Sequence, residues 1–162
     1  MLFAGLLAAW YDLRGLTTQW MPAGTEIDLG LATFGTVFLG AGSVTMGIAQ
    51  VAASKRNRRV ARAVLVLTLF CALGFICTAL RDWALANFQI SSSAYGTLFF
   101  VLTGTHLAHV VAGGVLLLAL TIFLGQPAFT RDRCAGVEAI AYYWHFVFVV
   151  WLAVYATIYL IR

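Results

Sequence analysis

Residues 94–125 read AYGTLFFVLTGTHLAHVVAGGVLLLALTIFLG, a run without one Asp, Glu, Lys or Arg. A helix needs roughly 20 apolar residues to cross a hydrocarbon layer about 30 Å thick, and this run is longer. Its flanks look like helix ends. Ser91, Ser92 and Ser93 stand just before it, where a hydroxyl can accept from the free N–H groups of the first turn. Gly125 ends it and Pro127 follows. Three further stretches, at 28–53, 62–87 and 136–161, share its character.

The N-terminal stretch is shorter. Met1 to Tyr11 is apolar before Asp12 and Arg14 interrupt it. Eleven helical residues rise only about 16 Å, so this stretch reads as the end of a span whose beginning is missing. The expected fold is all-α: a polytopic transmembrane bundle of five helices, the first truncated. Its spans are expected at about 1–16, 28–53, 62–87, 94–125 and 136–161, forming one transmembrane domain over 1–162.

Composition agrees. The chain is 62% hydrophobic and 10% charged over 162 residues, whereas soluble domains are roughly 45–50% apolar and about 25% charged. So few charges cannot cover a globular surface, and so much apolar sequence is not disordered. Net charge is +4, but no nucleic-acid partner is expected. Lys55, Arg56, Arg58, Arg59 and Arg62 are concentrated between two apolar stretches, as in a cytoplasmic loop. With five helices, that loop, Arg131 and Arg133 share one side, against Arg14, Arg81 and Arg162 on the other. The imbalance places the N-terminus in the cytoplasm and the C-terminus outside. Trp10, Trp20, Trp83 and Tyr95 fall near span ends, where amphipathic rings favour the membrane interface. Pro22 and Gly24 break the chain before the second helix. Cys71 and Cys77 lie in one apolar stretch and Cys134 in a loop; no CxxC pair is present. The start lacks a basic region and a cleavage motif, so no cleaved signal is expected.

Ionisable side chains inside spans are the first candidates for chemistry, because they are costly there. His106 and His109 lie three apart, and Thr103, His106, His109 and Gly113 share a helix face. His145 lies near the start of the last helix. Metal or haem ligation is one reading. The other is hydrogen bonding between helices, to backbone or to lipid headgroups. No carboxylate or thiolate stands near the histidines in sequence, so no metal site is expected. Rows of small residues, Ala41-Thr45-Ala49, Ser43-Gly47 and Gly104-Ala108-Ala112, mark candidate close contacts between helices. Trp144, Phe148, Trp151 and Tyr155 form an aromatic row. Asp28, Asp82 and Glu138 all lie near span ends. No P-loop, HExxH or nucleophile elbow is present. These features favour an accessory role over catalysis.

Two segments go further: Ser92-Ser93-Ala94-Tyr95-Gly96-Thr97-Leu98-Phe99-Phe100 running on to Thr103-Gly104-Thr105-His106-Leu107-Ala108-His109-Val110, and Tyr142-Tyr143-Trp144-His145-Phe146-Val147 with Val150-Trp151 and Tyr159-Leu160-Ile161-Arg162. In order and spacing they resemble subunit III of the haem-copper oxidases, the cytochrome c oxidase family, in its short five-helix form. Met1 to Leu6 resembles the family helix that follows a Ser-Glu pair, and Asp82-Trp83 stands where the family tends to have an acidic residue before an aromatic one. The family glutamate would fall just before Met1, and Phe148 stands where an acidic residue is frequent.

The resemblance implies a non-catalytic subunit of the aerobic respiratory chain, in a bacterial plasma membrane. It would pack on subunit I beside subunit II, bind phospholipid between its helices and support proton uptake. Haem and copper would belong to the partner subunits, with no cofactor in this chain. Thr103, His106, His109, Tyr143, Trp144, His145 and Trp151 would be structural or lipid-adjacent, with no catalytic residue. Three alternatives remain: a subunit-III-like accessory protein of a nitric oxide reductase, a stand-alone transporter or channel, and a small di-haem cytochrome.

Overall fold

A computed structural model describes residues 1–18, 20–21, 27–125 and 134–161, with the backbone alone at 134 and 135. Five α-helices follow in order: α1 (Leu2–Leu16), α2 (Leu29–Ser54), α3 (Arg58–Leu85), α4 (Ala94–Leu124) and α5 (Cys134–Tyr155). The last continues into a wider π-type turn at Ala156–Leu160. Among the described residues there is no strand. The all-α bundle read from the sequence is the fold observed, and four of its helices are long and apolar enough to cross a membrane.

Side-chain caps set three of the helix starts. Asp28 accepts from the Leu31 N–H, Asn57 from Val60 and Ser93 from Gly96, each satisfying a first-turn donor that the helix cannot. The Asn57 cap starts α3 ahead of the expected residue 62, so Arg58, Arg59 and Arg62 are helical. The turn between α2 and α3 is only Lys55–Asn57, and Arg56 takes a left-handed φ of 58° in it. Cys134 opens α5 and is not in a loop, as the sequence reading had it. The breaks expected at Pro22, Gly24 and Pro127, the charged run 131–133 and Arg162 lie outside the described residues.

The four long helices close into a ring. Each of α2 and α4 packs against both α3 and α5, and α1 lies on α4. Phe3 meets the rings of His106 and His109 midway along α4, while Trp10 meets Tyr95 at its start. Helix α1 therefore covers the half of the bundle between those levels. At its far end Tyr11 lies 3.3 Å from the Thr157 hydroxyl, and Arg14 donates to the Ile161 carbonyl.

Apolar side chains face outward: Phe34, Val44, Phe70, Val115 and Val149 are all more than half exposed. This is the pattern expected where lipid is the solvent.

Small residues do not all meet where the sequence rows placed them. Ala41, Ala108 and Ala112 are exposed, and Gly104 faces Trp83. A methyl group added at Gly35 would meet Thr78 at 2.9 Å, at Gly74 Phe38 at 2.8 Å and at Gly96 the Gln89 carbonyl at 2.7 Å, while Gly42 and Gly113 approach opposite edges of the buried Trp144 indole. A methyl group at Gly113 would lie 3.0 Å from that ring. Trp10 and Tyr95 are not a ring of interfacial anchors. Both are buried, packed on each other and on Trp20.

Candidate functional site

Polar side chains inside an apolar bundle must find partners, since lipid offers none. In this chain most of them find a partner on the next helix. Helices α2 and α5 share three such contacts: the Thr33 and Tyr155 hydroxyls at 2.8 Å, Trp151 Nε1 donating to Thr36 Oγ1 at 2.9 Å, and Ser43 Oγ against His145 Nδ1 at 2.5 Å. As the number on α2 rises, the number on α5 falls by a similar step, which is the register of antiparallel helices. Thr45 and Thr68 join α2 to α3 at 2.9 Å, and Trp83 Nε1 donates to Thr103 Oγ1 at 3.1 Å between α3 and α4. The Tyr143 hydroxyl donates to the His109 carbonyl at 3.0 Å between α5 and α4. Every adjacent pair in the ring is tied.

The hydroxyls serve two roles at once. Thr36 donates to the Ala32 carbonyl and Thr103 to the Phe99 carbonyl, so each offers its oxygen lone pair to an indole on the facing helix. A helical threonine that would otherwise only bond its own backbone becomes a fixed acceptor.

The seven residues singled out by sequence fall into three places. Thr103, His106 and Trp151 lie together, with the His106 ring 5.0 Å from the Trp151 ring, 5.6 Å from Phe75 and 6.1 Å from Phe3. His109, Tyr143 and Trp144 form a second group around Gly113, His109 also bonding the Thr105 carbonyl through Nδ1 at 2.7 Å. His145 stands apart, held by Ser43. The histidines are thus not a common ligand set, and among the described residues no three His, Cys, Asp or Glu side chains converge.

His106 is wholly buried, and neither ring nitrogen has a hydrogen-bond partner among the described residues. Its contacts are the surrounding aromatic rings, whose faces attract N–H edges weakly. A small cavity lies beyond Phe75 and Trp151, reaching Thr78, Asp82, Thr103 and Tyr159.

Sequence reasoning missed two parts of this arrangement. One is the acceptor row on α2, Thr36 and Ser43, spaced seven apart and hence on one face; that spacing was a readable signal. The other is the buried Asp82 carboxylate, which accepts from the Tyr159 hydroxyl at 2.6 Å. Nothing in the spacing of residues 82 and 159 announces that pair. It joins the last turn of α3 to the π-type turn that ends the fifth helix.

Residues 1–162 match the family described as cytochrome c oxidase subunit III. The chain belongs to that family. Its relatives include "Probable cytochrome c oxidase subunit 3" of Nocardia farcinica, 34% identical over all of this chain and 82% of the relative. Cytochrome c oxidase subunit 3 of Gallus gallus is 38% identical over 97% of this chain, which spans 60% of the chicken protein. That of Thermostichus vulcanus is 29% identical, covering 99% and 81%. Membership in the subunit III family makes the chain a multi-pass membrane component of a haem-copper oxidase complex in the respiratory chain. The four long helices are cross-tied at every interface of the ring, and apolar side chains face outward from it.

Proposed function

We propose that the chain is the non-catalytic subunit III of a cytochrome c oxidase. It packs on subunit I, binds phospholipid and supports proton uptake, while haem and copper reside in the partner subunits. The observation that carries this reading is the use of its inward polar groups: Thr36, Ser43, Thr103, Tyr143, His145 and Trp151 all tie helix to helix. Such ties hold a shape and do not present a reactive group to a substrate. Thr103, His106, His109, Tyr143, Trp144, His145 and Trp151 are then structural or lipid-adjacent residues. The membrane of this proposal is a bacterial plasma membrane, and the surplus of Lys and Arg near the α2–α3 turn supports an N-terminus in the cytoplasm and a C-terminus outside.

Purification of the tagged chain from its own membranes in mild detergent tests this. A reduced-minus-oxidised haem spectrum together with a co-purifying large haem-copper subunit is the expected result. A chain that purifies alone without haem overturns it. Haem of the nitric oxide reductase type with that enzyme's subunits moves the chain to the alternative complex. Proton uptake is read separately, as turnover of the complex with and without the chain at alkaline pH. Equal turnover removes that part of the proposal.

A further inference from the structure

An open groove of about 450 Å³ runs down the outer face between the start of α2 and the end of α3. Its two ends differ in chemistry. Asp28 and Arg81, both exposed, stand at the end nearest the helix termini. Deeper in the membrane its walls are Leu31, Phe34, Cys77 and Thr78, with Phe34 and Cys77 exposed and the Thr78 hydroxyl spent on the Phe75 carbonyl of its own helix. Phe34 lies six residues along α2 from Asp28, about 9 Å at the helical rise, and Cys77 lies about 6 Å along α3 from Arg81. The groove therefore carries one anion and one cation at headgroup level and an apolar channel beneath. The neighbouring Asp82 does not add to its charge, because that carboxylate turns inward to Tyr159. Gly30 keeps the polar end open: a methyl group there would sit 3.1 Å from Asp28 Oδ1.

We propose that this groove binds a phospholipid with a primary-amine headgroup, its phosphate on Arg81, its ammonium on Asp28 and an acyl chain along Leu31, Phe34 and Cys77. The inference rests on the lipid-binding part of the function proposed above and adds the site and the headgroup. The charge pattern selects the occupant. A guanidinium pairs with phosphate oxygens through parallel N–H bonds. A headgroup with phosphate alone would leave Asp28 facing an anion. A quaternary amine would place charge near Asp28 but has no N–H to donate. A neighbouring protein helix would have to cover both charges and supply a complement to each.

The test uses the purified oxidase complex. Native mass spectrometry would follow phosphatidylethanolamine, phosphatidylcholine and phosphatidylglycerol of matched acyl chains, added to the delipidated complex. Phosphatidylethanolamine should be retained in preference to the other two. Arg81→Gln should lower retention of that lipid about tenfold, as expected for loss of one charged hydrogen-bond partner. Asp28→Asn, which keeps a capping side chain on α2, should abolish the preference for the primary amine. Added phosphatidylethanolamine should also slow maleimide labelling of Cys77. If lipid is retained without regard to headgroup or to either substitution, this site falls and the broader lipid reading stands. If no phospholipid is retained at all, both fall. A Cys77 that cross-links to another protein chain at high yield assigns the groove to that chain and overturns the proposal.

Discussion

The two ends of the four-helix ring are filled in different ways. At the end where α2 and α4 begin, large rings do the filling. Trp10, Tyr95 and Phe99 are buried there, Trp20 and Phe88 pack on them, and the Asp82–Tyr159 bond is close by. At the opposite end the buried residues include Ala49, Ala52, Ala53, Ala61 and Ala141, together with Leu65, Leu117, Leu120, Leu124 and Val137. Small side chains let backbones come close, and van der Waals contact between the helices themselves holds that end. The aromatic end is held by side chains standing between helices, including those of α1, and by polar bonds. One end therefore depends on a few large residues and the other on many small ones. Damage should be concentrated at the first and diluted at the second.

The largest expected effect follows directly. Trp10 is 1% exposed and supplies much of what joins α1 to α4. Trp10→Ala should cost about 3 kcal/mol or more through the cavity it leaves, and should free α1 to limited proteolysis. Leu120→Ala at the small-residue end should cost about 2 kcal/mol, the low end for such a truncation. Thermal unfolding of the two variants in the same detergent compares the ends. Equal losses would mean that α1 is not a structural part of the aromatic end.

Next in size is the polar tie. Tyr159→Phe leaves the buried Asp82 without its 2.6 Å partner, a loss of about 2 kcal/mol for a charged acceptor left unsatisfied. Asp82→Asn keeps an acceptor oxygen for the Tyr159 hydroxyl and should cost less than half as much. The order of the two melting temperatures is the readout. The reverse order would mean that the carboxylate has another partner.

These two ends were not equally legible in the sequence. The five helices were readable, but at the alanine-rich end only Ala49 stood in a small-residue row read from the sequence, and Ala52, Ala53, Ala61 and Ala141 did not. Asn57 and Ser93 mark helix starts by residue type, although only Ser93 was read as a cap. The aromatic end was misread because Trp10 and Tyr95 near span ends also fit the interfacial preference of such rings. Only their packing on one another separates the two accounts. Within the candidate site, histidine pairs on one face were readable, but their separation into three places was not. That separation depends on which face of α5 meets α2, and the register is set by hydroxyl acceptors on α2 that look unremarkable singly.

Glycine substitution compares the ends at smaller cost. A methyl group at Gly96 would lie 2.7 Å from the Gln89 carbonyl oxygen, a backbone atom that cannot swing aside. Gly96→Ala should therefore cost between about 1 and 3 kcal/mol. Gly47, toward the small-residue end, has nothing within 4 Å of that position. Gly47→Ala should leave the melting temperature unchanged or raise it by the equivalent of about 1 kcal/mol at most, through helix propensity. A destabilised Gly47→Ala would show that another surface covers that position in the assembled complex. Running the pair on the isolated chain and on the complex separates the two explanations.

The smallest expected effect lies in the turn that closes the small-residue end. Arg56 holds φ at 58° between two long helices, a region that costs an L-residue about 1 kcal/mol and glycine almost nothing. Arg56→Gly removes that cost but gains entropy in the unfolded chain, so the net stabilisation should be about 0.5 kcal/mol. Arg56→Val has the opposite sign, because a branched Cβ is poorly tolerated there. Both variants delete the same charge, so charge alone cannot separate them, and orientation in the membrane should hold because Lys55, Arg58, Arg59 and Arg62 remain. A higher melting temperature for Gly than for Val at position 56, with unchanged accessibility of a tag at the N-terminus, is the expected result. If the two variants melt together, the turn relaxes to another conformation at little cost. The α2–α3 hairpin would then be held by its helix contacts and the Thr45–Thr68 bond without help from the turn, and the contrast between the ends would be sharper than the geometry of the turn implies.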